Sequence, residues 1–498
     1  MLRHALLGLL ALLAGLCLAQ RRNAHWPLSP QSWLHFDWNG LSTGLLSAST
    51  TFQIQSAAIS SPNGQLLLYA NGCAVFDRVG NEILSRFPDS MGSCAGTQGW
   101  VFLPWPEDND RVIGLSVRYY NGEAEWFGRQ PLCTYTFDMT LNGGLGAVQP
   151  ASFRVLRMDS VSYRLTAVPH GNGTDYWALV HQHSSDAFLA YRITAAGVDS
   201  VPVISHTGEV LPMETSYTSV NGAVGHLVTS PDGTRLAMIV MHLGDTERVM
   251  DIAFYHFDPN TGMVEHEATL PQFPLTTYAS AEFSPDGSKF YLLRSTLVAP
   301  SDLGSPAVIA DTLFQFDLSN MDPMLIAQSA YVVESDTSYG GHYWGIGPPL
   351  TLNSAPDGRI YALIGRSPYL STIHNPNAPG AACGFVRDDV VLPDTVNALP
   401  NLCKSYHDSQ ISADVPGTPT PMQALEVWPI PCRDHVWLRA EQGGTVALYS
   451  ALAQPLNALG LRARQLRSMD ITGLAPGAYV LRFNPENGEP TTRRIIKE

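Results

Sequence analysis

Charge is scarce in this 498-residue chain: only 15% of its residues are Asp, Glu, Lys or Arg. The balance is acidic, 44 carboxylates against 29 Lys and Arg. A nucleic-acid partner needs clustered Lys and Arg to displace counterions from phosphate, so that class is excluded. Beyond the N-terminus no run approaches roughly eighteen apolar residues, so no transmembrane segment is predicted. No C-x-x-C spacing lies near histidines, which leaves a zinc site without support. No G-x-S-x-G elbow and no H-E-x-x-H occurs, and the carboxylates are too scattered to nominate a pair for glycoside cleavage. Sialidase-type S-x-D-x-G-x-(T/S)-W turns are missing too. No catalytic residue is nominated, and enzymatic activity is left open with the balance toward none.

What is present begins with a leader. A short basic start, Met1 to His4, precedes an apolar run from Ala5 to Leu18 and a small residue, Ala19. Residues 1–19 read as a secretory signal peptide, too short to span a bilayer. Leu16 stands where a lipoprotein would need a small residue before Cys17. Seven cysteines occur, one of them in the leader. Export would place the other six in an oxidising compartment. Cys73 with Cys94 and Cys383 with Cys403 are the economical pairs, each closing a loop of about twenty residues worth roughly 3 kcal/mol. Cys133 and Cys432 would then be free.

The middle of the chain repeats. Ser61-Pro62-Asn63-Gly64, Ser230-Pro231-Asp232-Gly233, Ser284-Pro285-Asp286-Gly287 and Ala355-Pro356-Asp357-Gly358 each precede an apolar run. Proline presets the first turn angle, Asn or Asp tolerates the next, and glycine accepts positive φ, so each copy is a β-hairpin. Degenerate copies lie at Leu103–Asp110 and Val168–Asp175. Strands such as Leu189–Ile193, Phe254–Asp258 and Leu313–Leu318 follow. A hairpin plus an aromatic-rich strand at a period of about 45 to 70 residues is the pattern of a WD-like β-propeller. Seven blades are favoured, with six or eight open. The seventh would close by pairing a strand near Leu34 to Trp38 with one near Gly384 to Leu392. Asn71–Arg78, Leu165–Trp177, and Pro356–Tyr361 with Ile373–Asn377 resemble secreted propeller proteins, a resemblance that covers most of residues 33–403 and says little about activity.

The end of the chain carries a second pattern. Val427, Val436, Leu438, Val446, Leu448, Tyr479, Leu481 and Phe483 alternate in short runs between turns, which predicts a small Ig-like β-sandwich. Four blocks occur in order: Val427-Trp428-Pro429-Ile430-Pro431, Asp434-His435-Val436, Val446-Ala447-Leu448-Tyr449-Ser450, and Asp470-Ile471-Thr472-Gly473-Leu474-Ala475-Pro476-Gly477-Ala478-Tyr479. They end in Arg493-Arg494-Ile495-Ile496-Lys497. This resembles the type A C-terminal sorting domain of the type IX secretion system, with Ile430 and Cys432 as departures. The resemblance implies a route through the periplasm to the cell surface or medium, with the secretion machinery and a surface sortase as partners. It also implies a sorting motif of Pro429, Pro431, Asp434, Gly473, Leu474, Gly477, Tyr479, Arg494 and Lys497, with Arg493 in the same basic end.

The fold class is therefore all-β, and four segments follow: leader 1–19, propeller 20–409, a Pro-rich linker 410–422 in which the sortase would cut, and sorting domain 423–498. The expected role is binding of a glycan or protein ligand, with a polysaccharide hydrolase or lyase as the alternative. The loop residues Tyr339, His342, Tyr343 and Trp344 are the candidate platform for such a ligand. His181 and His183 would share one strand face. No cofactor is assigned, and the oxygen-rich turn Glu107–Asp110 is the one place suited to calcium.

Overall fold

The computed structural model describes residues 19–29, 32–37, 40–44, 56–72, 74–84, 98–118, 130–210, 225–243, 248–274, 279–299, 307–340, 350–404, 425–428, 435–440, 442–450, 454–462, 467–486 and 491–497. The chain divides into two compact units, Met1–Ala413 and Asp414–Glu498.

Unit 1 opens with a three-stranded antiparallel sheet of β1 (His25–Ser29), β2 (Ser32–Asp37) and β3 (Gly40–Gly44). Six antiparallel sheets of four or five strands follow in chain order. The first holds β4 (Ser56–Ser60), β5 (Leu66–Asn71), β6 (Ala74–Asp77) and β7 (Glu82–Leu84). The second holds β8 (Trp100–Trp105), β9 (Asp108–Val117), β10 (Leu132–Asp138), β11 (Ala147–Val148) and β12 (Arg154–Arg157). The third holds β13 (Thr166–Pro169), β14 (Tyr176–His181), β15 (Ala187–Thr194), β16 (Gly197–Val198) and β17 (Val203–His206). The fourth holds β18 (Gly225–Thr229), β19 (Arg235–Leu243), β20 (Arg248–Phe257), β21 (Val264–Thr269) and β22 (Phe273–Pro274). The fifth holds β23 (Ala279–Phe283), β24 (Lys289–Ala299), β25 (Ala307–Asp317) and β26 (Tyr331–Gly340). The sixth holds β27 (Leu350–Ser354), β28 (Ile360–Ile364), β29 (Ser367–Ile373) and β30 (Phe385–Val396).

Every predicted hairpin, degenerate copies included, joins the first strand of a sheet to its second. The turn chemistry explains why. In the fourth sheet Asp232 Oδ1 accepts from Ser230 Oγ and from the Thr234 amide, while Ser230 Oγ accepts from the Arg235 amide. Ser284, Asp286, Ser288 and Lys289 repeat this network in the fifth. Such side chain–backbone bonds hold the turn open at its corner. Gly233 completes it at φ 69°, where other residues are strained.

The first strands are buried, and consecutive ones lie side by side: β4 by β8, β8 by β13, β13 by β18, β18 by β23, and β23 by β27. The apolar core is shared between neighbouring sheets. Ile59, Leu68 and Val75 of the first meet Phe102, Val112 and Phe137 of the second, and Leu292 and Phe316 of the fifth meet Phe254 and Ile239 of the fourth. The three-stranded N-terminal sheet packs with both the first and the sixth. Trp26 is fully buried, edge-on to Phe36 at 4.9 Å and to Tyr361 of β28 at 5.8 Å. Tyr69, Phe76, Leu370 and Val396 belong to the same cluster.

Two expectations need correction here. The early and late segments do come together, since β2 lies beside β30. They do not share a ladder: β2 pairs with β1 and β3, and β30 with β29. β2 is the middle strand of the N-terminal sheet, so both of its edges are already paired.

Cys383 and Cys403 are not joined in a disulfide; like Cys133, both are buried. Cys383 packs between the fifth and sixth sheets, whereas Cys403 packs between the second and third and donates to the Ala167 carbonyl at 3.3 Å. Nearness in sequence does not become nearness in space, because residues 385–404 carry the chain away through β30. Cys73 and Cys94 lie outside the described residues, and among those described no disulfide stabilises the fold.

Unit 2 is two antiparallel sheets around one core. One has the strands β31 (Glu426–Trp428), β32 (His435–Arg439) and β35 (Arg467–Asp470); the other is ordered β34 (Pro455–Leu461), β33 (Gly444–Ser450), β36 (Gly477–Pro485) and β37 (Thr491–Lys497). Val436, Leu438, Val446, Leu448, Leu481, Phe483 and Ile495 fill the space between them.

Candidate functional site

The sequence-predicted platform is only partly placed. Tyr339 sits near the end of β26, opposite Val308 of β25. His342, Tyr343 and Trp344 lie outside the described residues. Of the sorting motif, Gly473 and Leu474 form the turn after β35, and Gly477 opens β36 at φ 156°, with Lys497 of β37 opposite it. Tyr479 Oη donates to the Ala475 carbonyl at 2.7 Å, and Arg494 lies in β37 opposite Val480. Pro429, Pro431 and Asp434 lie outside the described residues.

Three strands of the fifth sheet bring together a polar row that the sequence reading missed. Ser295 of β24, Asp311 of β25 and Asp336 of β26 are direct ladder partners. Residues in direct register point to the same face, with Cβ atoms about 5 Å apart. The row stands one position beyond the end of the sheet's inner strand, because β23 begins at Ala279, the partner of Arg294. It therefore occupies the end of the sheet from which β26 runs on toward residues 341–344.

The two carboxylates have unlike surroundings. Asp311 is 6% exposed and accepts a hydrogen bond from the buried Ser295 hydroxyl. Burial pushes its carboxyl above the usual carboxylate range, and the Asp336 charge adds to this, against the Ser295 bond and Arg387. Asp336 is about half exposed and ion-paired to Arg387 Nη2 at 2.8 Å. Arg387 also reaches Glu334, two residues earlier on the same face, at 3.5 Å. It comes from β30 of the sixth sheet, so the site spans two sheets. The next residue, Asp388, holds φ 53°, an uncommon backbone for a side-chain-bearing residue, and its amide donates to Ser371 Oγ at 3.2 Å. An Asp inside an apolar strand (Ala307 to Asp317) and the Glu334-x-Asp336 spacing were the available signals. Only the register turns them into one group.

A second polar group lies where the third and fourth sheets meet. His181 ends β14, fully buried and edge-on to Phe188 at 4.8 Å. His183 lies two residues on, in the following turn rather than the strand, and its Nε2 is 2.9 Å from Gln130 Oε1. His226 of β18 is also buried. Burial first, then neighbouring cations, pushes His181 and His226 down to about 3 and His183 to about 4. Arg164 is one of those cations in all three cases, with Nε donating to the Ile239 carbonyl at 3.0 Å. These rings are neutral core groups at physiological pH. Among the described residues no three His, Cys, Asp or Glu side chains group closely enough to hold a metal ion. In the Glu107–Asp110 turn, Arg111 engages Asp108 at 2.6 Å. No helix among the described residues is long and apolar enough to cross a membrane.

No family model and no curated protein matches the chain. Solved structures to which it is similar include hydrazine synthase of Kuenenia stuttgartiensis, at 12% identity over 76% of this chain and 87% of that one, TM-score 0.37. Another is the GH93 α-L-arabinofuranosidase of Fusarium graminearum in complex with arabinobiose, at 12% identity over 66% and 88%, TM-score 0.34. A third is a PL25 ulvan lyase, at 11% identity over 75% and 87%, TM-score 0.37. Likenesses this remote leave the function to the site's own geometry.

Proposed function

We propose that the protein is an exported glycan-acting protein that cleaves glycosidic bonds at the Asp311–Asp336 row. The observation that carries this reading is the pair itself: two carboxylates in direct register, one buried and raised, the other solvent-facing and clamped by Arg387. Pairs of titratable groups whose environments differ in this way divide the acid and base roles between them. Neighbouring carboxylates on one face suit the arrangement in which the second carboxylate attacks the sugar directly. Asp311 would give its proton to the glycosidic oxygen as the C1–O bond breaks, while the Asp336 carboxylate bonds to C1. Water then displaces Asp336 and returns a proton to Asp311. The aromatic residues Tyr339, Tyr343 and Trp344, next along the chain after Asp336, suit a sugar ring.

The test is reducing-sugar release by the full-length protein from a panel of neutral and uronic polysaccharides. Asp311→Asn and Asp336→Asn should each lower turnover at least about a hundredfold while the thermal midpoint stays near that of the wild type. Wild-type protein that binds the panel on a glycan array and releases nothing would make this a binding protein.

The architecture and export are part of the same proposal. Seven sheets closing into a β-propeller, the smallest blade at the N-terminus, would account for Trp26 and Tyr361 lying in one cluster with Tyr69 and Phe76. The shared core of unit 2 fits a sandwich that serves as the sorting domain. Deleting Thr491 to Glu498 is too blunt a test, because it removes Ile495 from the core. Arg493 is exposed on β37, so Arg493→Glu should leave unit 2 folded and trap the protein in the periplasm. Normal surface levels of that variant would overturn the sorting reading.

A further inference from the structure

The short segment after β30 bonds to the first strands of five of the six larger sheets. The Asn401 amide donates to the Ser56 carbonyl of β4 at 2.7 Å, and residue 401 forms a parallel bridge with Ala57. Its side-chain Nδ2 donates both protons, to the Trp100 carbonyl of β8 at 2.8 Å and to the Leu165 carbonyl just before β13 at 2.9 Å. Cys403 Sγ reaches the Ala167 carbonyl of β13. The Leu399 amide donates to Thr351 Oγ1 of β27 at 3.2 Å, and Asn353 Nδ2 of the same strand donates to the Pro400 carbonyl at 3.0 Å. The Lys404 ammonium, buried, is paired with Glu282 of β23 and hydrogen-bonded to Asn353 Oδ1. It is also close enough to His226 of β18 to help push that imidazole down. The N-terminal segment joins in through Asn23 Nδ2, which donates to the Cys403 carbonyl at 2.8 Å.

We propose that residues 399–404 are an internal clasp that occupies the axis between the sheets and couples them into one cooperative body. The inference extends the proposed ring of sheets and does not depend on the glycan reading. The closing ladder expected between β2 and β30 is not formed, so closure has to be carried by other contacts. The first strands are too deeply buried to leave carbonyls unpaired, and the clasp supplies the donors. Asn401 is suited to this because a carboxamide offers two N–H groups from one nitrogen, enough to join two neighbouring sheets at once. Residues 399–404 precede the region in which the sortase would cut. Cleavage downstream of them would leave the coupling intact.

Hydrogen–deuterium exchange on the full chain tests this. Asn401→Asp keeps the shape and removes both side-chain donors. It should speed exchange about tenfold or more in 56–60, 100–105 and 166–169 together, although these stretches are far apart in sequence. If the effect also reaches 225–229 and 350–354, both the clasp and the closed ring stand. If it stops at the three strands, Asn401 bonds them only locally and the single cooperative body is overturned. Faster exchange within 396–404 alone, or no change, overturns the clasp. Should Asn401→Asp fail to fold, Lys404→Met provides the same readout at 279–283 and 350–354, with the same loss expected.

Discussion

Mild acid should destabilise unit 1 well before its partner-lowered carboxylates protonate, because burial holds four of its imidazoles neutral. His25, His181, His183 and His226 have folded values of about 4, 3, 4 and 3. In the unfolded chain each would titrate near 6.5. Between those values the unfolded state binds more protons, so stability is complete above about pH 6.5 and is lost as pH falls. Each group costs about 1.4 kcal/mol per pH unit in that window, hence about 2 kcal/mol by pH 5. Together the four remove roughly 8 kcal/mol, a large share of the 5–15 kcal/mol typical of a domain. A carboxylate lowered by its partners, such as Asp317 at about 2, acts only below about pH 4, so the two windows separate. Urea unfolding followed by tryptophan fluorescence at pH 7.5, 6.5, 5.5 and 5.0 measures the slope. His226→Gln deletes one titration and should reduce that slope by about a quarter, whatever it does to stability at pH 7.5. A flat midpoint between pH 7 and 5, or an unchanged slope in the variant, would refute the account of these rings as buried neutral groups.

The remaining prediction concerns the join between the N-terminal sheet and its neighbours. Trp26→Ala should cost about 3–5 kcal/mol and make both 66–71 and 360–364 accessible to protease, because its ring lies in the cluster that holds Tyr69 and Tyr361. Limited proteolysis that cuts only near residue 26 would mean that the N-terminal sheet is a separate appendage. The carboxylate, sorting and clasp variants above complete the set.

Local chemistry determined the hairpins. Proline, Asp and Gly at 231–233 or 285–287 admit one turn with any tertiary surroundings, so the position of each first-to-second-strand corner was legible from composition alone. The same holds for period-two alternation in unit 2, where Val446, Leu448, Leu481 and Phe483 face one core as their spacing required. Which segments meet across hundreds of residues was not legible. Cys383 and Cys403 are twenty residues apart in sequence, yet they enter different cores, because a long strand between them spends that length on displacement. Asp311 and Asp336 look unrelated in sequence, and only the register of β25 with β26 sets them face to face. Asn401 carries no motif at all; its meaning comes from the three carbonyls that accept from it, supplied at or just before strands that begin near residues 56, 100 and 166. Turn geometry is a property of four adjacent residues and can be read from them. Register, burial and the packing of sheets against one another depend on long-range contacts, and these were decided only by the tertiary structure.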